Sequence, residues 1–286
     1  MTRREFKIPL PGGACLELGR RTAVVGVLNV TPDSFSDGGL NFDPARAVEC
    51  ALEMENAGAD IIEVGGESTR PGATAVSAEE EMARVLPVLE GLAGRLRVPV
   101  AIDTYKSSVA RAAVESGAGI INDVSVLRFD PAIADVAAHS GAALVLMHMR
   151  GDPATMQQIE PSPDIFAEIK SDFLTALAEA EKRGVSRERI ILDPGIGFGK
   201  TLEQNLAILN QLERFAEFGL PLMVGTSRKS FIGRITNRPP SERLFGTAAS
   251  VAAAILRGAH LIRVHDVKEM VEVARIADAI LREQAG

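Results

Sequence analysis

Apolar and polar positions follow two periods along this chain. Short continuous runs of Val, Ile, Leu and Ala recur from end to end, each followed by a longer stretch with apolar residues at helical spacing. Continuous apolar runs are what strands buried on both faces of a parallel sheet require, and the stretches between them are long enough to be crossover helices. Eight strands are predicted, over 23–30, 61–64, 98–102, 120–121, 143–147, 190–192, 222–224 and 261–264. The helices carry start signals: Ser77 with Glu80 and Thr201 with Gln204 fit capping boxes, and Asp43 before Pro44 fits an N-cap followed by proline at the first helical position. Gly58, Gly117, Gly141, Gly184, Gly219 and Gly258 each stand just ahead of a strand, where a left-handed residue stops a helix and turns the chain back.

Eight βα units without close sequence repetition favour a closed (β/α)8 TIM barrel over an open doubly wound sheet, with residues 1–286 as one domain. Residues 6–18, with Pro9, Pro11, Gly12 and Gly13 in the middle, read as a small hairpin within a lead-in over 1–20, expected to plug the bottom of the barrel.

Composition narrows the function. With 31 Lys and Arg against 38 Asp and Glu, the net charge of −7 argues against a nucleic-acid surface, which needs a basic stripe, so any anionic substrate must meet a local cationic site. Cys15 and Cys50 have no metal-ligand spacing and read as reduced thiols. The N-terminus lacks the apolar core of a signal peptide and no run is long enough to span a bilayer, so a soluble, cytoplasmic protein is expected.

In barrels of this kind the chemistry lies at the C-terminal ends of the strands. There the sequence places Asn29, Glu63, Asp103, Asn122, Met147, Asp193, Lys229 after a short extension, and Arg263 with His265. A lone Asp before Thr104 or Pro194 commonly caps a turn. Charges converging on one mouth need a ligand to justify their desolvation. Arg263 and His265 are two apart and share a face, whereas His260 points the other way and reads as packing, which argues against a His–His metal pair. The run from Pro194 to Thr201 imitates a phosphate-binding P-loop, but Pro194 replaces the required first glycine; it reads as a glycine-rich βα loop whose helix starts at Thr201, with phosphate contact as the lesser alternative. Arg150-Gly151-Asp152 is a coincidental adhesion tripeptide.

At these positions the sequence resembles the dihydropteroate synthase family over nearly its whole length. The likeness rests on eight motifs, one per strand: Gly26-Val-Leu-Asn-Val-Thr-Pro-Asp-Ser-Phe-Ser-Asp-Gly-Gly39, Val64-Gly-Gly-Glu-Ser-Thr-Arg-Pro-Gly72, Ile102-Asp-Thr-Tyr-Lys106, Ile120-Ile-Asn-Asp123, Leu146-Met-His-Met149, Leu192-Asp-Pro-Gly-Ile-Gly-Phe-Gly-Lys200, Thr226-Ser-Arg-Lys-Ser230 and Ile262-Arg-Val-His-Asp266. The resemblance implies condensation of 6-hydroxymethyl-7,8-dihydropterin pyrophosphate with p-aminobenzoate to 7,8-dihydropteroate and pyrophosphate, in a homodimer. It places the pterin against Asp193, Asn122, Asp103, Lys229, Met147 and Phe198. It places the pyrophosphate on Arg263, His265, Asn29 and Thr69, with Mg²⁺ at Asn29 and Asp103 close by. Asp103, Lys229, Arg263 and His265 are the catalytic set it implies.

Phe35, Thr69, Arg70, Pro71 and Ser230 fall by the same resemblance on the aminobenzoate side. The loops over 31–39 and 67–73 have the composition of lids that close over it. Pyrophosphate is expected to leave before the arylamine attacks. Glu63 stands where many family members have Asp, and Val124 where Ile is common; the role of Glu63 is left open. The rival readings are a pterin-dependent methyltransferase, which would not need Arg70, Lys229 and Ser230 in this form, and a non-catalytic pterin-binding relative, which would tend to have lost anion-site residues. The Ala-rich segment over 247–256 fits either packing on the barrel or contact between subunits.

Overall fold

A computed structural model describes residues 3–31, 43–68, 72–156 and 158–283. A hairpin of β1 (Phe6–Pro9) and β2 (Cys15–Leu18) comes first. The barrel strands follow: β3 (Ala23–Asn29), β4 (Ile61–Gly65), β5 (Val100–Asp103), β6 (Ile120–Asp123), β7 (Ala143–Met147), β8 (Ile190–Asp193), β9 (Met223–Val224) and β10 (Leu261–Val264). Helices α1 (Pro44–Asn56), α2 (Ala78–Leu92), α3 (Ser107–Glu115), α4 (Ala132–Ser140), α5 (Ile165–Lys182), α6 (Leu202–Asn210), α7 (Ser230–Thr236), α8 (Leu244–Leu256) and α9 (Val267–Arg282) lie between and after them. All eight barrel strands run parallel, and a bridge between Leu192 and Leu222 closes the ring between β8 and β9.

Strand parity divides the apolar residues into two bodies. Val24, Leu28, Ile62, Val64, Ile102, Ile121, Leu144 and Leu192 face outward and bury the helices' apolar stripes. The alternate residues Val25, Ile61, Ala101, Ile120, Val145, Ile191 and Leu261 face inward and pack with Ile8, Leu10, Leu16 and Leu18 of the hairpin. The hairpin thus fills the barrel's base, as expected from its sequence.

The six glycines ahead of the strands all adopt positive φ. Thr201 forms a complete capping box with Gln204. The box predicted at Ser77 is half made: Ser77 accepts from the Glu80 N–H, but the Glu80 carboxylate turns to Arg84. Strand β5 begins two residues later than predicted because Pro99 has no N–H and the Val98 N–H donates to Glu55 (3.1 Å). Several strands also run one or two residues further than their apolar runs, so that Asp103, Asn122, Asp123 and Asp193 are ladder residues rather than loop residues.

Candidate active site

The ladder sets the geometry of the mouth. Asn29 is in register with Gly65, Gly65 with Asp103, and Asp103 with Asn122, so four successive strands present one continuous row of residues. On the other side of β7, Met147 pairs with Asp193. Inward-facing parity brings Glu63 and Arg263 into the same space from below.

These side chains form one network. Arg263 donates to Glu63 and, at 2.7 Å, to Oδ2 of Asp103. Asn122 donates from Nδ2 to Oε2 of Glu63 at 3.0 Å. Oδ1 of Asp103 and Oδ1 of Asn122 are buried without a hydrogen-bond partner. Burial pushes the Asp103 carboxyl up to about 7, against the pull of Arg263 and with the repulsion of Glu63. Burial works to lower the Arg263 pKa, but the Glu63 and Asp103 carboxylates together hold it above its ordinary value, so the guanidinium stays charged.

Asp193 is a second buried carboxylate. It accepts from the Gly195 N–H (2.7 Å), and burial raises its pKa to about 6. Beside it Met147 and Phe198 form an apolar wall with Val124, Met149 and Met156. The Lys229 ammonium lies 3.8 Å from the centre of the Phe198 ring, a cation–π contact that places a positive charge at the edge of this wall. His265 is held by Ser227, whose hydroxyl is 3.0 Å from Nδ1 and also accepts from the His265 N–H. Ser230 begins α7 directly after Lys229 and is exposed.

The structure therefore brings together Asp103, Asn122 and Arg263 in one bonded set, and Met147, Asp193, Phe198 and Lys229 around one wall. Asn29 is at the rim. Phe35, Thr69, Arg70 and Pro71 lie outside the described residues. His260 is at the opposite end of its strand, where it packs on Phe6 and its Nδ1 accepts from the Leu222 N–H (3.1 Å).

Three residues gain roles that sequence patterns did not give them. Glu63 ties Arg263 to Asn122. Lys200, which ends the P-loop look-alike, is buried and donates to the carbonyls of Gly195 (2.8 Å), Phe198 (3.1 Å) and His148 (3.2 Å). Burial brings its pKa down to about 7. Its ammonium thus holds the loops after β7 and β8 together instead of facing a phosphate. Gly195 is where those loops touch: with φ of +67°, a Cβ there would stand 1.9 Å from the His148 carbonyl oxygen. Glu67 is the third, buried at the stem of the second glycine-bearing loop, where it accepts from Tyr105 (2.5 Å) and Lys106.

A buried, polar-edged and apolar-walled mouth on a (β/α)8 barrel defines a barrel enzyme for a flat, hydrogen-bonding ligand. The family described as pterin binding enzyme matches residues 25–265, and the chain belongs to it. Its relatives within that family include dihydropteroate synthases of several bacteria. That of Escherichia coli strain K12 is 51% identical over 258 residues, 90% of this chain and 91% of the relative. That of Synechocystis is 47% identical over 279 residues, 97% and 96% of the two chains. The Yersinia pestis dihydropteroate synthase, solved in a sulfonamide drug complex, superposes with a TM-score of 0.90 at 42% identity, covering 98% of this chain and all of that one. The Xanthomonas albilineans enzyme, solved with 4-aminobenzoic acid, gives 0.87 at 42% identity, covering 96% and 98%.

Proposed function

We infer that this chain is a transferase that joins 6-hydroxymethyl-7,8-dihydropterin pyrophosphate to p-aminobenzoate, releasing pyrophosphate and forming 7,8-dihydropteroate. The observation that carries this reading is the buried Asp193 carboxylate beside the Met147–Phe198 wall. A pterin offers its 2-amino group and a ring N–H side by side, and one ionised carboxylate accepts both. Met147 and Phe198 cover the ring, and Lys229 donates to its carbonyl side. Asn122 and Asp103 accept from the remaining ring edge.

In the reaction the bond between the pterin methylene carbon and the pyrophosphate oxygen breaks, and a bond from that carbon to the arylamine nitrogen forms. The amine then gives up one proton. Departure of a polyanion needs positive charge, which Arg263 supplies from β10, with His265 just past the end of that strand and Asn29 and Thr69 as further contacts. Phe35, Arg70, Pro71 and Ser230 belong to the aminobenzoate side in this reading, where they exclude water from the electron-poor carbon. That carbon is exposed to attack only after pyrophosphate has left, so the order of bond changes is dissociative.

Mg²⁺ fits the oxygen donor that the Asn29 amide offers at this mouth, with the Asp103 carboxylate close by on the same row of strand ends. Among the described residues no group of three His, Cys, Asp or Glu side chains could hold a metal unaided, which suits an ion bound chiefly through substrate phosphates. When bound there it would neutralise charge on the leaving group.

Two finer points belong to the same proposal. Phe245, Ala249, Ala253 and Leu256 form an exposed stripe on α8, and Ile276 and Ile280 are exposed on α9, which supports a homodimer through this face. No helix among the described residues is long and apolar enough to cross a membrane, and both cysteines are free, in keeping with a cytoplasmic enzyme.

Purified protein incubated with the dihydropterin pyrophosphate, p-aminobenzoate and Mg²⁺ is expected to give equal amounts of pyrophosphate and dihydropteroate, with product lost in Lys229→Ala and Asp193→Ala. A sulfonamide should compete with p-aminobenzoate. Folded protein that binds pterin but forms no product would overturn the reading.

A further inference from the structure

We propose that Lys200 is a positioning residue for this reaction: its ammonium is a built-in cation, seated among three carbonyls from two loops, that holds Asp193 and Phe198 in place for the pterin without touching it. The proposal rests on the pterin reading above. A true P-loop turns backbone N–H groups inward around an anion. The look-alike over 194–201 is turned the other way. Glycines at 195, 197 and 199, all at positive φ, coil it so that the carbonyls of Gly195 (2.8 Å) and Phe198 (3.1 Å) face inward, and the His148 carbonyl (3.2 Å) joins them from the loop after β7. Three acceptors take up the three hydrogens of one ammonium, and none is left over for a ligand.

The ammonium reaches the apolar wall at two points. Gly195 is fixed at both ends: its N–H donates to Oδ1 of Asp193 (2.7 Å) and its carbonyl accepts from Lys200. Phe198 is fixed likewise, with its N–H on the Gly195 carbonyl (3.3 Å) and its own carbonyl on Lys200. Asn205 anchors the coil to α6, accepting from the Gly197 N–H (2.7 Å) and donating to the Lys200 carbonyl (3.2 Å). The turn that aims the Asp193 carboxylate and the residue that carries the aromatic face thus share one charged fastener. Its charge also acts at a distance. Asp193 is faced by three cations, Lys229, Arg263 and Lys200, each of which favours its ionised form. Lys200 in turn is faced by Asp193, by Glu168 and Asp172 of α5, and by the cations Lys229 and Arg150, while burial keeps His148 neutral. At about pH 6, where Asp193 titrates, Lys200 still carries its charge.

The test titrates 6-hydroxymethyl-7,8-dihydropterin into the full chain across the acid range and measures kcat beside it, in the unaltered protein, Lys200→Met and Lys200→Ala. Met fills the same space without charge: the dihydropterin Kd should rise about tenfold, kcat should stay within about threefold, and the acid limb near pH 6 should move up by about half a unit or more. Lys200→Ala removes three carbons and the nitrogen, which free n-propylamine supplies again as a cation. The amine should restore affinity in that variant to within about threefold of the unaltered protein, and 1-propanol, its neutral analogue, should not. A Lys200→Met protein with a lowered melting temperature but unchanged affinity and acid limb would show a merely structural role and overturn the proposal. So would restoration of Lys200→Ala by propanol as fully as by propylamine, or by neither. Lys200→Met carries the test alone should Lys200→Ala not fold. Dihydropteroate formation by the unaltered protein is measured separately, so failure of these variants to behave as expected leaves the reading of the reaction standing.

Discussion

The two ends of this barrel are built from the same strands and differ in almost everything else. At the base, Ala23, Val25, Ile61, Ala101, Ile120, Ala143, Ile191, Met223 and Leu261 point inward and close on the hairpin's Ile8, Leu10, Leu16 and Leu18. Two residues further along β4, β5, β6, β8 and β10, the inward positions become Glu63, Asp103, Asn122, Asp193 and Arg263. One end is sealed by apolar packing; the other carries buried charge, with acceptors lacking partners. A single pleat repeat thus separates the part that holds the fold from the part that does the work, so the two should be separable by mutation.

The sharpest break comes from Arg263→Met. It removes the anion-binding charge and leaves Glu63 and Asp103 buried side by side, so kcat/KM should fall by about 10³-fold and stability by about 3–5 kcal/mol. Steady-state kinetics and urea unfolding measure the two losses. Asp193→Asn should part them: kcat/KM drops about 10²-fold, while the melting temperature holds or rises. The sign follows from the raised pKa of about 6. A carboxyl with a raised folded pKa favours the fold below its unfolded pKa, and that advantage is lost as pH rises through 6, so at pH 7.5 a neutral amide relieves the fold.

The base should show the converse. Leu18→Ala in the plug is expected to cost about 2–5 kcal/mol, read by urea unfolding, with kcat/KM within about twofold. Acid sharpens the contrast from the ligand's side. Dihydropterin affinity should be flat well above pH 7 and weaken as pH falls through 7 and then 6, where Asp103 and Asp193 in turn take up protons, and Asp193→Asn should lose the lower part of that slope. The smallest effect belongs to the outer face of the hairpin. Lys7 and Glu17, 3.5 Å apart but 78% and 62% exposed, should contribute less than about 0.5 kcal/mol, so Lys7→Ala should leave the unfolding curve almost unchanged.

Much of this division was legible in the sequence, because parity and strand ends are local properties. Continuous apolar runs gave eight strands, and the polar residues ending them fell at the mouth. Asp103 and Asn122 could be placed at neighbouring strand ends from their position alone. The rest depended on how far the barrel staggers and on side chains meeting from distant strands. Glu63 sits one layer below the rim, and its partners are 59 and 200 residues away in the chain, so no spacing reveals that it joins Arg263 to Asn122. The glycine-rich loop ending at Lys200 was legible as a P-loop imitation, but the role of Lys200 was not, because the three carbonyls that take its ammonium come from two separate loops. The failed half of the capping box at Ser77 has the same origin: Arg84, one turn on, competes for Glu80. Phe35, Thr69, Arg70 and Pro71 stand on motif resemblance, since glycine-bearing loops do not announce their partners.

The ring also has a seam. β9 is two residues long, and between β8 and β9 the ladder is a single bridge with the Leu192 N–H donating to Pro221 (3.0 Å); on the other flank of β9, His260, just ahead of β10, engages Leu222 through both its backbone and its imidazole. Burial keeps that imidazole neutral, down to a pKa of about 4. Topologically the barrel is therefore a rolled sheet fastened along one short edge, and a rolled sheet relaxes by unrolling. Amide protons of β9 and its neighbours should be the first of the barrel's to be replaced by deuterium, and acid that charges His260 should speed that replacement while the opposite arc, β4 to β6, still resists it.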